Sequence, residues 1–379
     1  MSEQGTVTKR WLAMMAAVAL VLSACGDEAD VEEEVDAGDG ETEEAAADEA
    51  CEVDEIDGDL NLYNWSEYMD PELIERFESE YDVSVTEDFY PSNEELFARV
   101  ESGGAQYDVI VPSDYMVDIM IQEDLLLPID FSAVPNVDNL DDDFAAPPYD
   151  PDLEFSVPYQ WGTTGLGVDL DVVDDVEPSW DLLFDPDVAG ELDGRISILD
   201  DPREAMGAAL YWLGHDPNTT DEGELQEAAD VISEAREWTA SFTSDQYSDL
   251  LLGGETVVAH GYSGNFLDNF GDDESYAYVI PEEGATIWTD NMAILEEAAS
   301  PCTAHTFVNF LLDPENGAQL TNWTYYASPN EAATEFIVDD VLDDDAIYPD
   351  EETRENLYFL EDTGDAEILF TDLFTQARN

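Results

Sequence analysis

The feature that most constrains the fold is a repeated alternation of short apolar runs with helical patterns. "LNLYN" precedes a helix that begins at Pro71, "YDVIVPS" precedes one that begins near Asp114, and "RISILD" precedes one that begins at Pro202. The runs "TVVAHGYSG" and "YAYVI" follow, and then the helical segment "AHTFVNFLLD". This order predicts an α/β protein with mainly parallel sheets, in which ligands bind beyond the carboxyl ends of the strands.

The first of these strand ends carries residues that helix formation does not explain. Asp70 is suited to cap the following helix, with Pro71 at its first position and the Glu72 carboxylate near the positive end of the helix dipole. Four residues between the strand and this cap have no such role: Trp65, Ser66, Glu67 and Tyr68. Two aromatic rings, a hydroxyl and a carboxylate therefore meet where the strand ends.

Three further segments carry a similar mixture. They contribute Ser113 and Tyr115 from "VPSDY", Asp201 and Glu204 from "LDDPREA", and Trp288 and Asp290 from "IWTDNMAI". Ring faces attract a cation and carboxylates accept its N–H groups, so the mixture suits an organic ammonium ligand. Structural roles are the alternative, because "DPRE" is also a good helix-capping sequence and aromatic residues often line the edge of a core.

The charge balance restricts where such a protein works and what it binds. Acidic residues number 95 against 9 basic ones, the net charge is −86, and Lys9 is the only lysine. Repulsion on this scale opposes folding unless salt screens it, and at about 1 M salt the screening length is only about 3 Å. A hydrophobic content of 44% argues against a disordered acidic chain. We therefore expect a halophilic protein, for which nucleic acid and anionic lipid surfaces are poor partners.

The N-terminus predicts export. Residues 9–25, "KRWLAMMAAVALVLSAC", have the basic start, apolar run and small residues of a signal peptide. "LSAC" resembles a lipobox, which would make Cys25 a lipidated N-terminus on the outer face of the cell membrane. Lys9 and Arg10 hint weakly at twin-arginine export, and an uncleaved membrane anchor is the alternative. Residues 26–55 then form an acidic, disordered tether.

Two cysteines remain after the predicted lipidation site. An exported protein can keep a disulfide, and we expect Cys51 to pair with Cys302. The three histidines, His215, His260 and His305, are scattered singly, so a metal site is not expected and structural roles are favoured.

From Leu60 to about Tyr326 the chain resembles the spermidine/putrescine-binding proteins of bacterial ABC importers. The segments that carry the resemblance are "LYNWSEY", "YDVIVPSDY", "SVPYQWGTTGLGV", "DDPREAMGAALYWLG", "IWTDNMAI" and "YYASPNEAA". The resemblance implies a two-lobed α/β fold of the periplasmic-binding-protein type, with a ligand cleft between the lobes. It also implies a polyamine ligand, no cofactor, no enzymatic activity, and permease and ATPase subunits as partners.

Ligand-binding roles follow from the resemblance residue by residue. They fall on Trp65, Ser66, Glu67, Tyr68, Ser113, Tyr115, Asp201, Glu204, Trp288, Asp290 and Tyr326. The chain departs from the family pattern in two places. "GYSGN" offers Tyr262 and Asn265 where the family often has Trp and sometimes Asp, and a family Gln falls near Leu360 and Glu361.

The resemblance also implies how the lobes divide and move. Lobe 1 is expected at residues 56–165 and 289–334, and lobe 2 at residues 166–288 and 335–379. The lobes would open and close about strands that cross near Gly165 and Trp288, with a ligand that touches both lobes favouring closure. Four carboxylates at separate places favour spermidine over putrescine.

The sequence leaves two other functions open. A binding protein for another solute would depend little on Asp201 and Asp290. An extracellular glycosidase would need paired carboxylates, and the close spacing of Asp201 and Glu204 fits capping better. Three N-glycosylation sequons begin at Asn64, Asn218 and Asn322, and a glycan at Asn64 would oppose the binding hypothesis.

Overall fold

A computed structural model describes residues 50–103, 106–142, 144–174, 176–271 and 273–379. The predicted signal peptide, the predicted lipidation site at Cys25 and residues 26–49 of the predicted tether lie outside the described residues. Their assignment therefore stays a prediction.

The first part of the chain supplies three short strands and then a long one. Its elements are β1 (Leu60–Trp65), α1 (Pro71–Tyr81), β2 (Val85–Tyr90), α2 (Asn93–Glu101), β3 (Val109–Ile110), α3 (Asp114–Gln122) and β4 (Ser156–Asp169). The next part contains α4 (Asp181–Phe184), β5 (Ile196–Ile198), α5 (Pro202–Leu213), α6 (Glu222–Ala235), β6 (Thr239–Phe242), α7 (Tyr247–Leu252), β7 (Val258–Tyr262) and α8 (Ser263–Phe270).

The last part returns to the first strands and then ends in helices. It comprises β8 (Tyr276–Val279), β9 (Ala285–Ile294), α9 (Pro301–Leu311), α10 (Pro314–Thr324), α11 (Asp339–Leu342), α12 (Glu351–Arg354), β10 (Leu357–Tyr358) and α13 (Ala366–Ala377). The predicted helix starts at Pro71, Asp114 and Pro202 are all present.

The strands form a mixed sheet with the order β2-β1-β3-β9-β4-β7-β5-β6, to which β8 and β10 add at β4 and β9. Strands β1, β2 and β3 pair in parallel, and so do β5, β6 and β7. The long strands β4 and β9 run antiparallel to each other and to most of their other neighbours. The expectation of mainly parallel sheets therefore holds for the two outer groups and fails at the centre.

Strand β4 joins two halves of the sheet. Its residues Ser156–Thr163 pair with β9, whereas Thr164–Val168 pair with β7. The first half (β1, β2 and β3) packs on α1, α3 and α9, and the second half (β5, β6 and β7) packs on α5, α6 and α13. The change of partner lies beside Gly165, where the sequence predicts a crossing segment.

The start of the described chain is fixed to α9. Cys51 and Cys302 form the predicted disulfide, with a Cα–Cα distance of 5.3 Å. Asp57 then caps the helix, because its carboxylate accepts the backbone N–H groups of Cys302 (3.2 Å) and Thr303 (3.0 Å). These contacts fix the start of the domain to a helix whose cysteine lies 251 residues later in the sequence.

The described part of the chain contains neither a membrane-spanning helix nor a cluster of metal-ligating side chains. No helix in it combines the length and apolar character that a membrane span needs. Within the same residues, no group of three or more His, Cys, Asp or Glu side chains is arranged to hold a metal ion.

Candidate functional site

One cavity lies where the ends of several strands meet. It is lined by all twelve residues that the sequence predicts for ligand binding: Trp65, Ser66, Glu67, Tyr68, Ser113, Tyr115, Asp201, Glu204, Tyr262, Trp288, Asp290 and Tyr326. Nine further residues complete the lining: Tyr90, Pro91, Asn93, Asp114, Ser244, Asp245, Tyr247, Asn265 and Leu360. The structure thus brings the predicted set together, and their contacts with a ligand stay a prediction.

The topology explains why these distant segments converge. Trp65 ends β1 and Tyr262 ends β7, while Ser113 and Asp201 precede the helices that follow β3 and β5. Asp290 lies in the middle of β9, where it forms a bridge with Ser113. Strand ends from both halves of the sheet therefore face the same space, as expected for an α/β protein.

Four aromatic rings form one wall of the cavity. The Trp288 ring lies 5.3 Å from Tyr326, 5.9 Å from Tyr262 and 6.4 Å from Tyr68, measured between ring centroids. Tyr68 and Tyr326 are 5.1 Å apart. These edge-to-face contacts stabilise the ring positions and present an aromatic surface that attracts cations.

Two glycines make room for this wall. A Cβ at Gly162 would lie 2.8 Å from the Trp288 ring, and one at Gly264 would lie 2.6 Å from the Tyr326 ring and 2.7 Å from the Thr324 carbonyl oxygen. A larger residue at either position would displace an aromatic ring of the site.

Three carboxylates from the predicted set are buried in the cavity wall. Asp290 accepts a hydrogen bond of 2.6 Å from the Ser113 hydroxyl. Asp201 caps α5, because its Oδ1 accepts the backbone N–H groups of Arg203 and Glu204. Glu204 does not turn back to complete the capping box, since its Oε1 accepts the Thr164 hydroxyl at 3.0 Å. The capping interpretation is correct for Asp201, which also lines the cavity.

A fourth buried carboxylate, Asp114, escaped the sequence analysis. Its two oxygens accept the backbone N–H groups of Tyr115 (2.8 Å) and Thr289 (3.3 Å). It lies between Ser113 and Tyr115, so a search for every carboxylate in the motif "VPSDY" would have found it. Tyr90 and Tyr247 were also missed, and neither stands in a segment that the sequence analysis singled out.

Burial raises the pKa of all four carboxyl groups. The pKa values of Glu204 and Asp290 rise to about 7, while hydrogen bonds from Thr164 and Ser113, respectively, oppose the rise. The pKa values of Asp114 and Asp201 are also well above the ordinary range, first because of desolvation and then because of neighbouring carboxylates. Negative charge in this cavity is therefore poorly compensated by the protein.

Ion pairs do not supply the missing compensation. Within the described residues, none of these four carboxylates has a salt-bridge partner. Arg203 is the nearby cation, but its guanidinium is paired with Glu367 on α13. A cationic ligand would therefore complete the electrostatics of the cavity.

Several buried polar atoms at the site also have no hydrogen-bond partner in the described structure. They include Oε2 of Glu204, Nε1 of Trp288 and Oγ of Ser244. The Tyr68 hydroxyl is buried beside Asp290 without the geometry of a hydrogen bond. Because unpaired buried polar groups are costly, this group of atoms favours a site that is completed by a ligand or by water.

The two ends of the cavity differ. Asp201, Glu204, Asp290 and Leu360 are buried and define what we call the closed end, whereas Ser66, Glu67 and Asn265 are more exposed and define the open end. Glu67 accepts a 3.0 Å hydrogen bond from Asn265 Nδ2. The Tyr326 hydroxyl accepts the backbone N–H of Asn265 at 3.2 Å, so the aromatic wall reaches the open end.

The predicted histidine roles agree with the contacts. Burial lowers the pKa of His260 to about 3, and its ring lies 5.3 Å from Trp180. His305 accepts the backbone N–H of Asp130. His215 lies on the surface beside Glu227. All three are structural or surface residues rather than members of the site.

The sequon asparagines all use their side-chain amides in the fold. Asn64 is fully buried and donates to Glu87 at 3.0 Å. Asn218 and Asn322 donate to the backbone carbonyl oxygens of Phe359 and Phe336. A glycan at Asn64 would require this part of β1 to open.

Comparison with known proteins identifies the family. The chain matches the model of the bacterial extracellular solute-binding protein family over residues 72–349. It is also 34% identical to a putrescine/cadaverine-binding protein of Pseudomonas aeruginosa. The 312 aligned residues cover 80% of this chain and 88% of the relative. The chain belongs to this solute-binding protein family.

A second curated relative and a solved structure support the assignment of this chain to the solute-binding protein family. The spermidine/putrescine-binding periplasmic protein of Escherichia coli is 34% identical over 322 residues, which cover 84% of this chain and 91% of that one. A solved structure from Listeria monocytogenes, described as a spermidine/putrescine ABC transporter, has a TM-score of 0.81 and 34% identity over 85% of this chain and 99% of that one.

These findings confirm the predicted resemblance, the two-lobed periplasmic-binding-protein fold and the class of binding protein rather than enzyme. The glycosidase alternative is therefore wrong. The predicted lobe boundaries, at 56–165 with 289–334 and 166–288 with 335–379, stay a prediction.

Proposed function

We propose that this protein binds a polyamine outside the cytoplasm, prefers spermidine to putrescine, and delivers it to the permease and ATPase of an ABC importer. The observation that carries the proposal is a set of four buried carboxylates that lie beside four aromatic rings in one cavity and have no ion-pair partner among the described residues. A polyamine suits both groups, because its separate ammonium groups can pair with the carboxylates and the methylene chains between them can pack against the rings.

Each part of the ligand has a matching part of the cavity. Ammonium groups donate hydrogen bonds to Asp290, Glu204 and Asp201, which strengthens both partners because each is charged. The methylene segments pack against Trp288 and Tyr262, whose ring faces also attract the adjacent charges. The closed end excludes water, so these contacts persist in salt that screens the charge of the protein surface.

Closure of the lobes follows from the same charges. Without a ligand, closure buries carboxylates that no cation compensates, which raises the free energy of the closed state. A bound polyamine removes this cost and contacts both halves of the sheet, so it shifts the population toward closure. We place the hinge at the crossing strands, near Gly165 on β4 and Trp288 on β9.

The preference for spermidine rests on the two separate ends of the cavity. A diamine can satisfy the closed end alone, whereas a triamine can also place an ammonium group near Glu67 at the open end. The names of the relatives include both putrescine and spermidine and do not decide between the two, so the proposed preference is argued from the geometry of the cavity alone.

The N-terminal segment and the acidic composition concern where the protein works. We propose that Cys25 is lipidated and anchors the protein to the outer face of the cell membrane, with a tether that follows it and ends before Cys51, which is bonded to Cys302 of the domain. The excess of acidic residues suits a halophilic setting.

Calorimetric titration in about 1 M salt tests the function, with spermidine, putrescine, an amino acid and a sugar as ligands. We expect tight binding of both amines, with spermidine tighter, and no heat from the other two. Binding of a sugar or an amino acid but of neither polyamine would overturn the proposal in favour of another solute.

A further inference from the structure

A buried cation lies where the two halves of the sheet meet. Arg203, on α5 of the second half, is only 1% exposed, although the chain has 9 basic residues against 95 acidic ones. It is not part of the cavity lining, which includes its neighbours Asp201 and Glu204. A buried charge is costly unless its partners are well placed, so the contacts of Arg203 indicate what this rare cation does.

One set of contacts holds Arg203 to the second half. Its guanidinium pairs with Glu367 on α13, and its central carbon lies 4.6 Å from the centroid of the Phe370 ring on the same helix. Its Nη2 donates to Asn218 Oδ1 at 2.9 Å, in the loop between α5 and α6. These partners all belong to the second half, so they fix the cation there.

A second set of contacts joins Arg203 to the first half. Its central carbon lies 5.1 Å from the centroid of the Tyr115 ring on α3. The Tyr115 hydroxyl donates to the Glu94 carboxylate on α2 at 3.1 Å. Burial raises the pKa of Glu94 and the charge of Arg203 opposes that rise, so the cation acts on α2 as well as on α3. Arg203 therefore contacts one aromatic ring from each half.

This contact opposes the repulsion that resists closure. The four buried carboxylates of the cavity come from α3, α5 and β9, so bringing the halves together brings like charges together. The guanidinium is instead attracted to the ring face of Tyr115, which is only 4% exposed. Because water is excluded at this contact, salt screens it less than it screens the surface charges.

We propose that Arg203 is a latch between the two halves, which favours the closed arrangement before a ligand enters and positions Tyr115 in the cavity wall. Closing places the guanidinium of α5 against the ring of α3, and opening separates them. Because Arg203 acts on the equilibrium between the open and closed states, it should change the affinities for different amines by the same factor. The effect on affinity rests on the proposed polyamine function, whereas the effect on the ligand-free protein does not.

Small-angle X-ray scattering of the ligand-free protein in about 1 M salt tests the latch. Arg203→Lys keeps the charge but loses the planar group that stacks on the ring, so its radius of gyration should exceed that of wild type. Arg378→Lys is the matched control, because Arg378 pairs with Asp200 and stacks over Phe374, at 5.3 Å, within the second half. The control should keep the wild-type radius.

Calorimetry and stopped-flow dissociation give a second readout. In Arg203→Lys the affinities for spermidine and putrescine should both fall about tenfold, with their ratio unchanged, and spermidine should dissociate faster. A changed ratio would assign Arg203 to ligand recognition and would overturn the latch.

Tyr115→Leu removes the other partner of the contact and decides the test if Arg203→Lys does not fold. Because Tyr115 lines the cavity, only the radius of the ligand-free variant is compared, and it should also increase. Folded variants with the wild-type radius would overturn the latch, whether or not the protein binds polyamines. Failure of the wild-type protein to bind any amine would instead overturn the proposed function and leave the scattering test valid.

Discussion

The two ends of the cavity carry the same kind of charge in different surroundings. Asp290 at the closed end is 5% exposed, its pKa is raised to about 7, and it has no ion-pair partner among the described residues. Glu67 at the open end is exposed and is oriented by the amide of Asn265. In a chain with 95 acidic residues, burial rather than the presence of a carboxylate distinguishes a binding group from an ordinary surface charge.

The largest expected effect is at the closed end. Asp290→Asn should weaken spermidine binding by about 3 kcal/mol, roughly a hundredfold in Kd, because a buried ammonium group loses its charged partner. Calorimetry in about 1 M salt measures this change. The ligand-free variant should melt at a higher temperature than wild type near pH 8, because it no longer buries an uncompensated charge.

Asp171→Asn is the matched control, since Asp171 is exposed and does not line the cavity. Its affinity for spermidine should equal that of wild type. If Asp290→Asn bound spermidine as well as this control, Asp290 would have no role in recognition.

The second expected effect is a pH dependence of the affinity, which arises from the buried carboxyl groups at the closed end. Glu204 and Asp290 lose their protons as the pH rises through about 7, and only the ionised groups attract an ammonium ion. Affinity should therefore rise about tenfold or more from pH 6 to pH 8. Titration in buffers of different ionisation enthalpy should also detect protons released on binding.

The same pKa shifts predict how the ligand-free protein responds. Because the folded state holds protons that the unfolded state has already lost, the contribution of these groups to stability should fall as the pH rises from about 4 to about 7. The double variant Glu204→Gln with Asp290→Asn should flatten both pH dependences. A dependence that persisted in the double variant would have to arise from other groups.

The third effect is smaller and lies at the open end. Glu67→Gln should weaken spermidine binding by about 1 kcal/mol or less, since an exposed charge pair is weak and is screened by salt. Putrescine binding should change less, because the shorter ligand is satisfied by the closed end. A loss as large as that of Asp290→Asn would show that the two ends do not differ as described.

The smallest effect on binding is expected far from both ends. Replacing Cys51 and Cys302 by serine removes the crosslink that joins the start of the domain to α9, and should lower the free energy of unfolding by about 2–5 kcal/mol. The affinity for spermidine should not change, because neither residue lines the cavity. A large loss of affinity in the folded double variant would connect this region to the site.

Much of the site was predictable because its residues lie at the ends of strands. An α/β order brings such ends to one edge of the sheet, so the sequence predicts that "NWSEY", "VPSDY" and "DDPREA" lie close together. The family resemblance added Tyr262 and Tyr326, whose own segments give no clear chemical signal. Asp201 has both of its predicted roles in the fold, because one carboxylate oxygen caps α5 while the residue lines the cavity.

The other features of the fold and the site could not be predicted, because they depend on long-range packing that short segments of sequence do not encode. Tyr247 reaches the cavity from the start of α7, and Leu360 reaches it from a segment held by Arg203 and Asn218. The central antiparallel pairing of β4 with β9 joins strands more than a hundred residues apart, so local alternation could not reveal it. The exposure of Glu67 is likewise a property of the folded lobes rather than of "NWSEY".

A crystal structure of the spermidine complex tests the central claim most directly. We predict ligand nitrogen atoms within hydrogen-bond distance of Asp290, Glu204 and Asp201, and a methylene segment against Trp288. A ligand whose nitrogen atoms contacted only Glu67 and solvent, with the buried carboxylates left unpaired, would contradict it.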